Sequence, residues 1–281
     1  MDRTGISQGR RDNDSARRAA ELKITYDVKD KIALVTGANR GIGRAIVNAF
    51  LSHGAARVYA AVRRLDSAAP LIEHYGDRVL PVQLDLTRPE TITAMAAKAA
   101  DAQVVVNSAG VFMASTPLDG GASDALELGM KTNVLGLIRI AQAFAPILKQ
   151  NGGGAFVQLN SVASLVCAPN FATHSACKAA AYSITQALRE LLGQQGTAVL
   201  SVHPGLIASD MGNAAGLAGS AEPPSVVAEG IIAALEAGDF LLFPDSMAKR
   251  VGSAYQSFFE SVVEAGIPEY KSSNRAASVE K

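Results

Sequence analysis

The sequence predicts an α/β protein with a doubly wound, seven-stranded parallel sheet that is covered by helices on both faces. Short apolar runs alternate with amphipathic segments, several of these runs are continuously apolar, and the first of them leads into a glycine-rich turn. Continuous apolar runs are typical of parallel strands that are buried on both faces, and right-handed crossovers between such strands give a doubly wound sheet. We expect a single domain, since no internal repeat of solenoid length is present.

The strands are predicted from short runs rich in valine, leucine, isoleucine and alanine, which have the length and composition of buried strands. In chain order these runs are Ile32–Thr36, Val58–Val62, Val79–Leu84, Val104–Val106, Ala155–Leu159, Ala198–Val202 and Phe240–Phe243. The segments between them are long enough for helices, and Asn151-Gly-Gly-Gly predicts a turn directly before the fifth run.

Apolar residues at helical spacing predict amphipathic helices between the strands. The helix after the first strand has one apolar face formed by Ile42, Ala45, Ile46, Ala49 and Phe50. The pattern Thr87-x-x-Glu90, with Pro89 in the first turn, predicts a capping box that opens a helix after the third strand. Further helices are predicted at about residues 123–149, 171–192 and 226–236.

The folded domain is predicted to span residues 29–270. The polar segments 1–28 and 271–281 show no apolar periodicity, so they are expected to be tails. The Gly- and Ala-rich segment at about residues 205–225 is expected to be a loop over the substrate.

The composition excludes several classes of function. The chain has 281 residues, of which 26 are basic and 26 are acidic, so it has no net charge that would attract nucleic acid or anionic membranes. No apolar run reaches the ~18–20 residues of a membrane span, and the polar N-terminal segment lacks the apolar core of a secretory signal. Cys167 and Cys177 form neither a disulfide framework nor a metal site. We expect a cytoplasmic protein without metal, nucleic acid or membrane partners.

A glycine-rich turn carries the first functional information. The sequence Thr36-Gly37-Ala38-Asn39-Arg40-Gly41-Ile42-Gly43 connects the first strand to the first helix. Glycines allow a tight turn and a close approach of the backbone to a pyrophosphate, and the helix N-terminus supplies N–H groups and a positive dipole end. The spacing G-x-x-x-G-x-G is weak evidence alone, because an ordinary turn between a strand and a helix is the alternative.

The turn and several later residues resemble the classical short-chain dehydrogenase/reductase family, which has the Rossmann fold. The resemblance covers about residues 30–250, and it includes Asn107-Ser108-Ala109-Gly110 after the fourth strand and His203-Pro204-Gly205 after the sixth. It implies that Ser161, Lys178 and the helical Asn133 are catalytic. The positions that it implies for cofactor binding are Gly37, Asn39, Arg40, Gly41, Ile42, Gly43, Arg63, Asp85, Leu86, Asn107, Ala109, Gly110, Lys178, Pro204, Gly205 and Ile207.

The end of the second strand favours NADP(H) as the cofactor. A carboxylate at this place would bind the adenosine ribose and repel a phosphate on its 2′-oxygen. This sequence instead has Arg63, whose guanidinium can hold a phosphate, and Arg40 in the glycine turn can reach the same group. The alternative is that both arginines are solvated surface charges. Asp66 lies nearby, but it follows the next turn.

The chain departs from the family at the position of the proton-donating tyrosine, thirteen residues after Ser161, which is occupied by His174. Four interpretations remain open. His174 is a working acid or base, or it marks a reaction that needs no tyrosine. Otherwise it is a natural or engineered replacement that abolishes catalysis but leaves cofactor binding intact, or a structural residue.

The chemistry of His174 depends on its neighbour. His174 and Lys178 are four residues apart and share one face of a helix. The lysine cation disfavours imidazolium, so a mostly neutral ring would donate a hydrogen bond rather than act as a strong acid, as neutral histidine does in triosephosphate isomerase. Tyr182 cannot easily substitute, because eight residues of helix rise about 12 Å.

The segments that are expected to line the substrate pocket are mostly apolar and comprise residues 111–113, 165–171 and 206–217. We therefore expect a hydrophobic or aromatic ketone or imine as the substrate. The sequence predicts an NADPH-dependent oxidoreductase that transfers hydride to a carbonyl or imine at an atypical Ser-His-Lys site. The alternative is a catalytically impaired or engineered NADP-binding relative with a regulatory role. The resemblance also implies a homodimer or homotetramer.

Overall fold

We describe residues 23–209 and 221–264 of the computed structural model. Seven strands lie in this part of the chain: β1 (Ile32–Thr36), β2 (Arg57–Val62), β3 (Val79–Gln83), β4 (Val104–Asn107), β5 (Ala155–Leu159), β6 (Ala198–Val202) and β7 (Leu241–Leu242). All neighbours pair in parallel, in the order β3-β2-β1-β4-β5-β6-β7. The predicted doubly wound, seven-stranded sheet is confirmed, and its strand order reverses between β1 and β4.

Helices cover both faces of this sheet. They are α1 (Gly41–Ser52), α2 (Ala69–Tyr75), α3 (Pro89–Lys98), α4 (Ala122–Gly129), α5 (Leu135–Gln150), α6 (Ala172–Gly193), α7 (Ser225–Ala237) and α8 (Ser246–Phe258). One apolar core joins the sheet to α1 and α7, and a second joins the opposite face to α3, α5 and α6. Both faces of the strands are therefore buried, as their continuous apolar sequences require.

The structure differs from the sequence prediction in several elements. The helix predicted at about 123–149 is divided by a π-helical turn at Met130–Val134. Neither α2 nor α8 was predicted, because the apolar pattern of α2 is too short and the sequence of α8 is largely polar. The strand predicted at Phe240–Phe243 is limited to β7.

The predicted capping box at Thr87 is wrong. Helix α3 has Arg88 as its N-cap, and no side chain caps it. The Thr87 hydroxyl instead donates to Asp85 Oδ1 at 2.7 Å, so it is engaged by the loop that precedes the helix.

The last residues of the predicted N-terminal tail pack against the domain. Val28 is buried, and the backbone N–H of Tyr26 donates to the carbonyl of Leu235 in α7 at 2.8 Å. The folded chain therefore extends further towards the N-terminus than residue 29, while residues 1–22 lie outside the described part. Among the helices that the structure describes, none is long and apolar enough to cross a membrane.

Candidate active site and cofactor cleft

The glycine turn after β1 forms a cradle that excludes side chains. Gly37 and Gly41 have φ angles of 69° and 52°, which side-chain-bearing residues rarely adopt. A Cβ atom on Gly43 would lie 2.2 Å from the carbonyl oxygen of Gly37. The turn can close against α1 only with these glycines, and with Asn39 and Ile42 it leads into the N-terminus of α1. A helix N-terminus of this kind can bind a pyrophosphate.

Buried hydrogen bonds align the ends of β1, β4 and β5 behind this turn. Thr36 Oγ1 lies 3.2 Å from Asn107 Oδ1 and accepts hydrogen bonds of 2.9 Å from the N–H groups of Ser108 and Ala109. Asn107 Nδ2 donates to Gln158 Oε1 at 2.8 Å. The side chain of Asn107 is thus engaged within the protein, so any contact of this residue with a cofactor would have to come from its backbone.

Two arginines follow β2, and they differ in their partners. Arg64 forms an ion pair with Asp66, with 3.2 Å between Nε and Oδ1. The Arg63 side chain is exposed, and no hydrogen bond or ion pair to it occurs within residues 23–209 and 221–264. Asp66 therefore does not neutralise Arg63, whose guanidinium is available to an anion.

Arg40 is the N-cap residue of α1 and lines an open groove of about 560 Å³ with Arg44, Asn48 and Ser209. The two predicted phosphate-binding arginines thus lie at the ends of neighbouring elements, Arg40 at the start of α1 and Arg63 at the end of β2.

Asp85 is held as a carboxylate at the end of the segment after β3. Its Oδ1 accepts hydrogen bonds from the Thr87 hydroxyl and the Thr87 N–H, at 2.7 and 2.9 Å. These two bonds lower the pKa of Asp85. Leu86 is buried and packs against Gly136, where an added Cβ would lie 3.1 Å from the leucine. The position predicted to contact adenine is therefore rigid and negatively charged.

Asn133 lies in the π-helical turn and clamps the loop after β4. Its Oδ1 accepts from the N–H of Val111 and its Nδ2 donates to the carbonyl of Val111, both at 2.9 Å. A Cβ on Gly110 would lie 2.8 Å from Asn133 Oδ1, so only glycine fits beside the clamp. The predicted catalytic asparagine thus positions the loop, and its amide has no hydrogen bond to Ser161, His174 or Lys178.

Ser161 joins the loops that follow β5 and β6. Its Oγ accepts from the N–H of Ala163 at 3.1 Å and lies 3.3 Å from the carbonyl oxygen of Pro204. The N–H of Val162 also donates to that carbonyl, at 3.0 Å. The predicted catalytic serine and the Pro204-Gly205 turn are therefore neighbours.

His174, in the first turn of α6, is almost fully enclosed. It is 7% exposed, and the ring of Phe112 packs edge-on against the imidazole with 4.8 Å between centroids. Its Nδ1 is buried and has no hydrogen-bond partner among the described residues. Burial first, and the charge of Lys178 second, lower the pKa of His174 to about 3, so the ring is neutral at physiological pH.

Lys178 lies one turn further along α6 and is half-buried. Its Nζ donates to the carbonyl of Leu159, the last residue of β5, at 2.8 Å. Burial lowers the pKa of Lys178 to about 8, against a smaller opposing effect of Cys177. The electrostatic effect of Lys178 on His174 places both groups at one site.

We expect the burial of His174 to make folding sensitive to acid. An unfolded histidine binds a proton below pH ~6.5, whereas folded His174 binds one only near pH 3. Stability is therefore complete above about pH 6.5 and falls below it, by up to about 1.4 kcal/mol per pH unit for this group. Urea unfolding at a series of pH values measures the free energy of unfolding of the native protein and of His174→Phe. The variant should lose less stability than the native protein as the pH falls below about 6.5. Parallel curves would contradict it.

Sequence reasoning missed Asp245, which is 1% exposed and caps α8. Its Oδ1 accepts from the N–H of Ala248 at 3.0 Å, and its Oδ2 accepts from the N–H of Gly205 at 2.6 Å. A Cβ on Gly205 would lie 2.6 Å from Oδ1. An aspartate before a helix is a recognisable N-cap signal, but its bond to Gly205, forty residues earlier, is not visible in the sequence.

Asp245→Ala is expected to destabilise the fold by about 2–3 kcal/mol, because it removes a helix cap and leaves the partly buried N–H of Gly205 unpaired. Asp245→Asn keeps one acceptor oxygen, so it should lose about half as much. Urea unfolding gives both values, and NADPH titration should show weaker binding in the order native, Asn, Ala. An alanine variant that equals the native protein in both measurements would show that the clamp is dispensable.

His203 and Tyr182 belong to the interior. His203 is fully buried, with Nε2 2.8 Å from Ser201 Oγ and Nδ1 3.1 Å from the carbonyl oxygen of Ser161. Burial lowers the pKa of His203 to about 4. Tyr182 packs edge-on against His203 at 4.6 Å, and its hydroxyl lies 3.3 Å from that of Tyr255. Tyr182 therefore packs against Tyr255 of α8.

The predicted substrate loop is described only at its two ends. Ile207 is buried beside Glu222, whose carbonyl accepts from the N–H of Ala208 at 2.8 Å and whose N–H donates to Leu206 at 2.9 Å. Glu222 Oε1 also accepts from the N–H of Ser246 in α8, at 2.7 Å. Residues 210–220 lie outside the described part. The start of α8 thus holds both ends of the loop.

No cluster of three or more potential metal ligands occurs within residues 23–209 and 221–264. Cys167 is exposed, whereas Cys177 is buried. A Cβ on Gly129 would lie 2.6 Å from Cys177 Sγ, so this thiol packs between α4 and α6.

The chain is similar to known proteins in both sequence and fold. The sequence profile described as short chain dehydrogenase matches residues 31–218. An oxidoreductase of Staphylococcus saprophyticus is 29% identical over 188 residues, which cover 64% of this chain and 80% of the relative. A short-chain dehydrogenase from Burkholderia cenocepacia in complex with NADP has a TM-score of 0.76 and 31% identity, covering 83% of this chain and 98% of its own. A short-chain dehydrogenase from Sphingobium yanoikuyae in complex with NADPH has a TM-score of 0.69 and 25% identity, and the match covers 83% of this chain and 96% of that protein.

The matched profile runs from the residue before β1 to beyond Ile207, so it includes the glycine turn, Ser161, His174 and Lys178. The sheet order and the positions of these loops at its carboxyl edge agree with that match. The chain is an oxidoreductase of the short-chain dehydrogenase/reductase family.

Proposed function

We propose that the protein uses NADP(H) to reduce a carbonyl compound or an imine of hydrophobic character at Ser161, His174 and Lys178. The observation that carries the proposal is the position of His174, whose neutral ring lies one helical turn from Lys178 on α6. We assign to it the role of the family's proton donor. Ser161 and Lys178 are both bound to the ends of β5 and β6 in the same cleft.

The cleft fits a nicotinamide cofactor with a phosphate on its ribose. The glycine cradle admits a pyrophosphate at the start of α1, and Asp85 offers a carboxylate oxygen to adenine. Arg63, whose side chain has no hydrogen bond or ion pair in the described chain, and Arg40 would hold the additional phosphate. The complexes of the two relatives with NADP and NADPH support the same choice. When bound, this cofactor supplies a hydride.

The protein's own groups would orient the substrate oxygen. Ser161 Oγ and the imidazole of His174 each can donate one hydrogen bond to a carbonyl oxygen, which polarises the bond and stabilises negative charge. Lys178 keeps its ammonium at the carbonyl of Leu159 and adds positive potential. Neutral histidine suffices for polarisation, although it is a weak acid.

The surroundings of His174 favour an apolar substrate. Phe112 lies between His174 and Phe171, at 4.8 and 5.4 Å between ring centroids. Met113 and Leu165 are partly exposed on the same loops. These side chains support a hydrophobic or aromatic molecule rather than a sugar phosphate.

Oligomer formation and a cytoplasmic location are also part of the proposal. Leu126, Leu128 and Leu135 on α4 and α5 are between 37% and 43% exposed. Such apolar side chains on one helical pair suit an interface between subunits, and light scattering would distinguish a dimer or tetramer from a monomer.

A second candidate function is binding without catalysis, which is favoured by the lowered pKa of His174 because a neutral ring holds no readily lost proton. The test mixes the purified protein with NADPH and a panel of ketones, enones and cyclic imines, and follows the loss of NADPH absorbance. Turnover of any class supports the reductase. Tight NADPH binding with no turnover of any class would overturn it and favour the binding role.

A further inference from the structure

We infer that the substrate is an α,β-unsaturated carbonyl compound with an apolar or aromatic flank, and that the hydride is added to its β-carbon. The inference rests on the proposed function, because it requires NADPH-dependent reduction beside Ser161 and His174. It narrows the substrate class to conjugated enones and enals. It follows from the groups at the site, which can donate hydrogen bonds to a substrate oxygen but have no acidic proton to transfer to it.

The imidazole of His174 holds a single proton in its surroundings. Nδ1 is buried without a partner in the described chain, and Phe112 covers the ring at 4.8 Å. An imidazolium would bury an unpaired N–H group at Nδ1 and place a cation next to Lys178. Unpaired buried N–H groups are rarer than unpaired acceptors, so the single proton belongs on Nε2. His174 is therefore a hydrogen-bond donor through Nε2.

The neighbouring groups do not replace the missing acid. Ser161 Oγ is a neutral hydroxyl that accepts from the N–H of Ala163 at 3.1 Å and donates to the carbonyl of Pro204 at 3.3 Å. Its single proton can be offered to the substrate only when the hydroxyl turns away from Pro204. Lys178 is held away by its 2.8 Å hydrogen bond to the carbonyl of Leu159. The oxygen of a substrate would thus meet two neutral donors.

Isolated and conjugated carbonyl groups make different demands on such a site. Hydride addition to a carbonyl carbon produces an alkoxide, a strong base that needs a proton from an adjacent acid. Hydride addition to the β-carbon moves the electron pair of the C=C bond towards the carbonyl and produces an enolate, whose charge is shared by the oxygen and the α-carbon. Two preorganised donors stabilise an enolate oxygen in the manner of an oxyanion hole.

The overall reaction balances with one solvent proton. The β-carbon gains a hydride, which carries two electrons and leaves NADP⁺, and the α-carbon takes a proton from water as the enolate collapses to the ketone. The C=C bond becomes a single bond and the C=O bond is retained. No group of the protein has to change its protonation state.

Imines fit the same site less well. A protonated imine would bring a cation next to Lys178 and would need an acceptor or a carboxylate at its nitrogen. In the described chain, no carboxylate affects the pKa of either His174 or Lys178. The site is arranged for negative charge that develops on an oxygen.

The aromatic side chains favour a flat, conjugated molecule. Phe112 touches the imidazole edge-on and lies 5.4 Å from Phe171. The rings of Phe112 and Phe171 therefore form an aromatic surface next to His174. This surface can pack against a planar group that is conjugated with the carbonyl.

Benzylideneacetone tests the inference, because its C=C and C=O groups can each accept the hydride. The full chain with deuterium-labelled NADPH should form benzylacetone with the label on the β-carbon, and heavy water should label the α-carbon. Benzylacetone itself should be reduced at least about tenfold more slowly. Formation of the allylic alcohol would overturn the inference and leave the proposed function standing. Failure of both ketones to oxidise NADPH would overturn both.

Replacing the donor by an acid provides a matched comparison. His174→Tyr should increase the share of allylic alcohol among the products, because the phenol can protonate an alkoxide. The same replacement at exposed His74, on α2, should leave the products unchanged. A His174→Tyr variant that still gives only benzylacetone would contradict the assigned role of the ring.

A binding measurement tests the donors without turnover. The phenolate of para-nitrophenol carries a delocalised oxygen charge like that of an enolate. With NADP⁺ present, the protein should bind it as the yellow phenolate, and His174→Phe should weaken binding about tenfold by removing one hydrogen bond to an anion. His74→Phe is the matched control and should bind normally. Equal binding by all three proteins would overturn the assignment of His174 Nε2 as a donor.

Discussion

Arg63→Asp is expected to weaken NADPH binding about a hundredfold, while NADH binding changes by no more than about threefold. The guanidinium forms charge-assisted hydrogen bonds with the phosphate, each worth about 1.5–3 kcal/mol, and the new carboxylate repels the phosphate. Since 1.4 kcal/mol corresponds to about tenfold in affinity, loss of the arginine alone accounts for an effect of this size. Fluorescence titration with each cofactor provides the measurement.

Arg64→Asp is the matched control, because Arg64 is the neighbouring exposed arginine and is already paired with Asp66. It should leave the ratio of NADPH to NADH affinity close to the native value. If Arg63→Asp weakened both cofactors equally, or if Arg64→Asp reproduced its effect, the phosphate would have to bind elsewhere.

Lys178→Met is expected to reduce kcat/KM at least about a thousandfold and to leave the protein equally or more stable. Loss of one preorganised electrostatic group typically costs about 10²–10³ in rate, and the charge of this lysine also helps to keep His174 neutral. Folding, in contrast, must partly desolvate an ammonium group that the described chain binds with a single carbonyl. Methionine removes that cost and keeps the aliphatic stem.

Steady-state kinetics and urea unfolding of Lys178→Met separate these two effects, with Lys98→Met on the exposed end of α3 as the control. The control should match the native protein in activity. A Lys178→Met variant that is destabilised by about 2 kcal/mol or more, with activity lost only in proportion to unfolding, would show that the lysine is a structural residue.

The strands could be predicted from the sequence because apolar runs that are buried on both faces leave few alternatives. Predicted and observed bounds of β1, β5 and β6 coincide. The π-helical turn at Met130–Val134 could not be predicted, since a π turn preserves an apolar face while it shifts the register. The false capping box at Thr87 arose because the pattern ignores Asp85, which competes for the same hydroxyl.

The positions of the candidate site could be predicted, but its electrostatics could not. The family resemblance placed Ser161 after the fifth strand, and the four-residue spacing placed His174 and Lys178 on one face of a helix. The enclosure of His174 depends on Phe112, which is remote in sequence and reaches the ring only because β4 lies beside β5. Within the described residues, Arg63 is likewise free of an ion pair because Asp66 pairs with Arg64. The sequence does not show which of the two adjacent arginines Asp66 will bind.

The central claim is that His174 takes the place of a tyrosine as an uncharged donor with its proton on Nε2. An NMR titration of isotopically labelled histidine, with the His174→Phe variant to assign the signal, tests it most directly. We predict a ring that remains neutral and protonated on Nε2 down to the acid limit of folding, in accord with a pKa of about 3. A ring that becomes imidazolium near its ordinary pKa of about 6.5, or that carries its proton on Nδ1, would contradict the claim.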